Sequence, residues 1–173
     1  MENGIRDIYV ARLSPTDTEI IVKFTRRYST ELHTFRAERG FSPKLLGFER
    51  LPGGWFAVAM EKVDTVELEK VSSSSELNTW KKEIRNLVDD FHAHGLVHGD
   101  LRLENFIFAA SGNRRKMLLV DFGWGGKAGE VEFPFKLLPP GLQREGDGRV
   151  FAETFRALDM EVAKLEAKTV ILT

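Results

Sequence analysis

The chain predicts an α+β fold: a small β-rich unit carrying one helix over about 1–60, and a mostly helical unit over about 64–173. Three observations predict it. The first 60 residues alternate short β runs with Pro- and Gly-containing turns. A long amphipathic pattern runs from Leu77 to Phe91. Beyond it lies a polar loop, His98-Gly99-Asp100-Leu101-Arg102-Leu103-Glu104-Asn105, then a short apolar hairpin and Asp121-Phe122-Gly123.

The elements follow in order. Runs 7–13 and 18–24 flank Ser14-Pro15-Thr16-Asp17, residues that favour a turn, and so predict a hairpin. Ser29 or Thr30 caps a helix through about Arg39, and Gly40 ends it. Leu32, Phe35 and the aliphatic part of Arg36 or Arg39 mark its apolar face. Pro43 to Phe48 begins a strand, which Pro52-Gly53-Gly54 turns into a strand from Trp55 to Met60. Val71 to Ser75 is the most linker-like stretch. Ser73 and Glu76 then have capping-box spacing, where each satisfies an otherwise orphaned amide of the first turn. Leu77, Trp80, Ile84, Leu87, Val88 and Phe91 keep a helical period until Gly95. His92 and His94 lie near that helix end, where the macrodipole favours them, and are not read as a metal pair.

After the polar loop, Phe106-Ile107-Phe108 and Met117 to Val120 are short β runs around the turn residues Ser111-Gly112-Asn113. Trp124 to Gly129 is Gly-rich but lacks the Gly-Lys-Ser/Thr of a phosphate-cradling loop. Pro134, Pro139, Pro140 and Gly141 mark irregular structure as far as Gly148. A last helix is expected from about Val150 to Lys168, with Phe151, Phe155, Leu158, Val162 and Leu165 along one stripe.

The chemistry concentrates in residues 98–123. Transfer of a phosphoryl group from a nucleotide needs a carboxylate near the acceptor hydroxyl, and Asp100 can supply it. It also needs oxygen ligands that hold Mg²⁺, a hard cation, against the phosphates. The hairpin brings Asn105 and Asp121 to neighbouring strand ends, where they can share one ion.

HGDLRLEN followed by VDFG resembles the catalytic core of the eukaryotic-type protein kinase superfamily. The resemblance covers roughly residues 7–125 and implies a two-lobed fold, with 1–63 as small lobe and hinge and 64–173 as a reduced large lobe. It implies ATP and Mg²⁺ as cofactors, and a hydroxyl on a protein or a small molecule as acceptor. By this resemblance Asp100 orients the acceptor and takes its proton, Arg102 touches the transferring phosphate, and Asn105 and Asp121 hold the metal. Lys23, on the strand Glu19 to Phe24, contacts the α/β-phosphates. Glu31, with Glu38 as the alternative, pairs with Lys23. Met60 is the gatekeeper, and Glu61 and Val63 offer backbone hydrogen bonds to adenine. Phe122 packs between the lobes, Glu104 is structural, and Asp159 on the last helix braces the catalytic loop.

The sequence also departs from the family. No Gly-x-Gly-x-x-Gly precedes Lys23, no Ala-Pro-Glu follows Asp121, and Gly99 stands where most protein kinases have Arg. The His-Gly-Asp form is typical of aminoglycoside-kinase-like enzymes and of small atypical kinases such as the Bud32 type, and the chain also resembles short fungal kinase-like proteins. The first strand with its phosphate lid and the distal large-lobe helices are expected to be missing. Three readings follow: a protein Ser/Thr kinase-like enzyme, a small-molecule phosphotransferase, and a pseudokinase that serves as a binding module. Joint retention of Lys23, Asp100, Asn105 and Asp121 argues against the third.

Composition narrows the class. The chain has 173 residues, 42% hydrophobic and 29% charged, which suits one globular domain. With 25 basic and 26 acidic residues its net charge is −1, so no nucleic-acid partner is expected. It has no cysteine, which rules out disulfides and thiolate zinc sites. Neither a signal-like core at the N-terminus nor a run of membrane-spanning length is present, and a soluble, cytoplasmic protein is expected.

Overall fold

The structure is a computed structural model, and it describes residues 7–66, 73–111, 114–131 and 152–164. The first unit is a four-stranded antiparallel sheet with one helix. Strands β1 (Asp7–Leu13), β2 (Thr18–Thr25), β3 (Leu45–Leu51) and β4 (Trp55–Glu61) lie in the order β1-β2-β4-β3. Pro52–Gly54 forms a 3₁₀ turn between β3 and β4, with Gly53 at φ 74°, a left-handed conformation that glycine adopts without steric cost. Register decides which side chains share a face of this sheet. Ile8 lies opposite Lys23, and Ile21 opposite Met60. Ile21 and Lys23 are two apart on one strand, so they share a face.

Helix α1 (Thr30–Glu38) starts where Ser29 Oγ accepts from the Leu32 amide at 3.2 Å. It buries Leu32, His33 and Arg36. Phe35, expected on the apolar face, is half-buried, and His33 takes an inner position that apolar periodicity does not mark.

The second unit is organised by helix α2 (Ser74–Ala93), with Ser73 Oγ accepting from the Glu76 amide at 3.3 Å. Ser73 is the cap, as its spacing to Glu76 predicts, and Ser74 and Ser75 of the linker-like stretch are the first helical residues, while Val71 and Ser72 lie outside the described residues. All six of its expected inward residues are buried. They pack with Leu32 of α1, with Phe122, and with Phe106, Phe108, Met117 and Leu119 of the next hairpin. That hairpin is β7 (Phe106–Ser111) and β8 (Arg114–Leu119), which follow the short strands β5 (Thr65–Val66) and β6 (Leu96–Val97) in the chain. Trp80 stacks on Phe108, ring centroids 4.1 Å apart. Two pairings had no signal in the sequence: β5 adds to β7, and β6 pairs with β9 (Gly126–Lys127). Both are two-residue strands, too short for any period to show.

Residues 152–164 form helix α3, whose Leu158 is fully buried in the same cluster. Phe151 and Leu165, and the expected irregular stretch from Pro134 to Gly148, lie outside the described residues. Among the described residues, no helix is long and apolar enough to cross a membrane.

Candidate active site

The loop that carries Asp100 is held by backbone contacts. Gly95 (φ +74°) stops α2, and Leu96–Val97 is buried in the β6–β9 pair. His98 is fully buried, and its Nε2 donates to the Val120 carbonyl at 3.0 Å. Its Nδ1, as the remaining acceptor, takes the Asp100 amide at 3.3 Å. Gly99 has φ +79°, and a Cβ there would lie 2.6 Å from the Trp124 carbonyl oxygen. A side chain at 99 is therefore excluded twice, by dihedral and by the chain segment lying against it. This is the physical reason for glycine at position 99.

Helix α3 braces the same loop. Thr154 Oγ1, 3% exposed, donates to the Leu101 carbonyl at 2.6 Å. Asp159, expected to do this, does not. It is 59% exposed and pairs with Lys81 of α2. The bracing atom must lie on the inner face with Leu158, and Thr154 is one helical turn before Leu158 on that face, whereas Asp159 is the next residue round, about 100° away.

Asn105 and Asp121 meet through the hairpin. Phe106 is paired with Leu119, and the Val120 amide bonds the Asn105 carbonyl at 2.9 Å, so Asp121 is the next residue past the pair. Asp121 has φ 65° and ψ 64°, a left-handed conformation that non-glycine residues adopt rarely. Such backbone persists only where its surroundings over-determine it, and it clusters at functional sites. Here Lys23 Nζ holds Asp121 Oδ1 at 2.7 Å, the two side chains 7% and 14% exposed. Asn105 spends its Nδ2 on Asp100, at 2.7 Å from the carbonyl and 3.0 Å from Oδ2. Asp100 is also forked by Arg102, Nε to Oδ1 at 2.6 Å and Nη2 to Oδ2 at 2.8 Å.

A cleft of about 480 Å³ opens between the units. Lys23, Met60, Glu61, Val63, Asn105 and Asp121, the residues expected to hold nucleotide and metal, all line it. Ile8 and Ile21 from the sheet and Ile107 and Val120 from the hairpin supply apolar walls. The Glu61 amide is already bonded to the Lys44 carbonyl at 2.9 Å, which leaves Val63, beyond the end of β4, as the freer backbone position. Glu104, expected to be structural, is exposed and also lines the cleft.

The expected Glu31–Lys23 pair is not formed. Glu31 is 57% exposed and lies 3.8 Å from Lys127, and Glu38 is exposed at the end of α1. Leu32, His33 and Arg36 take the inner face, so Glu31 is turned outward and the Lys23 ammonium goes to Asp121 instead.

His33 is the residue that sequence reasoning missed. It is fully buried, with its ring stacked on Phe122 at 4.7 Å and 16°. A carbonyl can only accept, so Nε2 carries the proton that bonds Pro43 O at 2.8 Å. Nδ1 then accepts from the Tyr28 hydroxyl at 2.6 Å. Burial pushes the imidazole below its ordinary pKa, the Pro43 bond opposing. Burial, with the charge of Asp121 adding, pushes the Tyr28 phenol up and keeps it a donor. Phe122 thus sits between His33 and the edge of His98 (5.5 Å, 69°), next to Asp121. The signal available was polar spacing, Tyr28 to His33 across a helix start, which no hydrophobic period reports.

The donor set fits a hard divalent cation. With the Asn105 amide nitrogen spent on Asp100, its amide oxygen is the atom left, and Asp121 offers a carboxylate in the same cleft. Among the described residues, no three His, Asp or Glu side chains cluster as a self-sufficient metal site. Two oxygen ligands are what Mg²⁺ takes from protein when phosphates and waters complete its shell.

No protein-family model matches the chain, and no curated protein matches it by sequence. Among solved structures it is similar to the kinase PK-1 of Cydia pomonella granulovirus, with a TM-score of 0.61 and 16% identity over 73% of this chain. The chain spans half the length of that kinase. At this identity the likeness speaks to the fold, which is α+β and protein-kinase-like.

Proposed function

We propose that the protein is an ATP- and Mg²⁺-dependent phosphotransferase, a protein Ser/Thr kinase-like enzyme. One observation carries the reading. A single cleft with apolar walls gathers Lys23, Asn105 and Asp121, and Asn105 ties it to the carboxylate of Asp100. Mg²⁺, held by Asn105 and Asp121, would neutralise charge on the phosphates. The other roles fall to side chains. Met60 and the neighbouring walls receive the base, and Val63 presents backbone to it. Lys23 brings a cation to the phosphates while holding Asp121 in its left-handed backbone. Asp100 orients the acceptor hydroxyl and takes its proton. A small-molecule acceptor is the second reading, favoured by the close packing of Gly99 on Trp124, which leaves no room there for an arginine that would read a phosphorylated loop.

The test is calorimetry with ATP, with and without Mg²⁺, joined to labelled-phosphate transfer onto a protein mixture and a metabolite panel. Asp100→Asn is expected to lower transfer by about 10²–10⁴-fold with nucleotide affinity nearly unchanged, because proton removal acts in the transition state. Asp121→Asn is expected to weaken both. Equal ATP affinity with and without Mg²⁺, or no heat in either, overturns the reading. If wild type and both variants bind ATP alike and none transfers phosphate to any acceptor or to water, the domain is a binding module.

A further inference from the structure

Asp100 is not an open base in this structure. An ionised carboxylate has about four acceptor positions on two oxygens. Arg102 takes one on each oxygen, at 2.6 and 2.8 Å, and Asn105 takes a second on Oδ2 at 3.0 Å. The fork is charge-assisted and bidentate, the strongest class of side-chain hydrogen bond. It is also the outer layer. The Asp100 side chain is 13% exposed and the Arg102 side chain 50% exposed.

We propose that Arg102 is a gate on Asp100, closed on the carboxylate in the free protein and drawn off it by the oxyanion of the transferring phosphoryl group. This rests on the phosphotransferase reading and adds regulation to the same site. A guanidinium fork matches phosphate as well as carboxylate, so the two compete for one set of donors. Arg102 forks the carboxylate that Asn105, a residue of the cleft lining, also bonds, so its guanidinium lies one contact away from the cleft where phosphates would lie. With the gate open, the acceptor O–H proton passes to the Asp100 carboxylate. The acceptor oxygen bonds the γ-phosphorus, and the bond from that phosphorus to the β-phosphate oxygen breaks, its electron pair leaving with the nucleoside diphosphate. With the gate closed, three of those four acceptor positions are occupied, one on Oδ1 and both on Oδ2. Both carboxylate oxygens are released from the fork only when a phosphoryl group is in place.

The fork gives a direct readout: the Arg102 Nε–H resonance in nitrogen-edited NMR spectra, identified by its loss in Arg102→Lys. Asp100→Asn, without nucleotide, should move that resonance and so establish that it reports the fork. A non-hydrolysable ATP analogue with Mg²⁺ should then shift it, saturating at the midpoint found by calorimetry. ADP with Mg²⁺ should bind and leave it in place, because it lacks the γ-phosphoryl oxygens. A phosphorylated peptide alone tests whether an acceptor-side anion opens the fork, and is expected to have no effect. The gate is overturned if the analogue binds by calorimetry and the resonance stays still, or if ADP or the peptide moves it as far. Absence of heat with every nucleotide is a different signature: it removes the phosphotransferase reading, and the gate with it.

Discussion

Helices α1 and α2 begin alike and bury different chemistry. Each is capped by a serine whose hydroxyl accepts an amide three residues on. Helix α2 buries Leu77, Trp80, Ile84, Leu87, Val88 and Phe91, an unbroken apolar stripe. Helix α1 buries Leu32, His33 and Arg36, so two of its three inner residues are polar. Those two make specific contacts: His33 with Tyr28, Pro43 and Phe122, and Arg36 with Asp90 at the far end of α2. Apolar burial is non-directional and sets how strongly an element is held. Hydrogen bonds and ring stacks are directional and set where it is held. The difference assigns α2 to stability and α1 to positioning.

The largest effect that tests this is in α2. Ile84 is fully buried in the cluster. Ile84→Ala is expected to cost about 2–5 kcal/mol, the sum of lost transfer energy and a cavity. Urea denaturation measures it. A cost below 1 kcal/mol would mean that α2 is not the element on which stability rests.

His33→Phe asks the complementary question of α1. A group whose folded-state pKa is lowered binds protons more readily in the unfolded chain. Stability therefore rises with pH between the folded value and the ordinary 6.5, and is lost as pH falls below 6.5. The slope cannot exceed about 1.4 kcal/mol per pH unit for one group. Phenylalanine keeps the ring on Phe122 and removes the titration. Unfolding free energies at several values between pH 5 and 8 should therefore fall less steeply with acid in the variant than in wild type. Parallel curves would show that His33 does not titrate with folding.

The same contrast explains what could be read in advance. Every strand of the first sheet and the whole of α2 were legible, because strand and helix periods are written in apolar residues and their boundaries in Ser, Gly and Pro. The gathering of Asn105 and Asp121 was legible too, since a hairpin register follows from its turn. What was not legible is directional. Glu31 was assigned to Lys23 by resemblance, but the rotation of α1 is set by His33 and Arg36, whose burial depends on partners distant in sequence. Asp159 was assigned to the loop brace, yet Thr154 holds the Leu101 carbonyl, and a hydroxyl inside an apolar stripe leaves no periodic trace. The two-residue pairs β5–β7 and β6–β9 are fixed by tertiary neighbours alone.

The two caps sharpen the comparison at smaller scale. Ser73→Ala is expected to cost about 1 kcal/mol, the usual loss for an N-cap with solvent nearby. Ser29→Ala is expected to cost more, about 1–3 kcal/mol, because Ser29 is 8% exposed and Leu32 fully buried, so the Leu32 amide is left with neither cap nor water. Equal costs in denaturation experiments would mean that water reaches the start of α1.

The smallest effect is expected at the strongest-looking contact. Arg36 is fully buried and bonds Asp90 at 2.6 Å, yet burial pulls its pKa down, and its Nε has no partner. Desolvating a guanidinium costs several kcal/mol, which the attraction to one carboxylate at 35% exposure offsets only in part. Methionine is apolar, of comparable length, and suited to the space between Phe35 and Phe41 that the guanidinium now occupies. Asp90 is not stranded by its loss, since Arg39 stands 3.3 Å away and water reaches the carboxylate. Arg36→Met should therefore change stability by less than about 1 kcal/mol, in either direction. If Arg36 positions α1, the loss belongs to geometry, and nucleotide affinity should fall while the urea midpoint holds. A drop of 3 kcal/mol with unchanged affinity would reverse the assignment and make α1 a second stabilising helix.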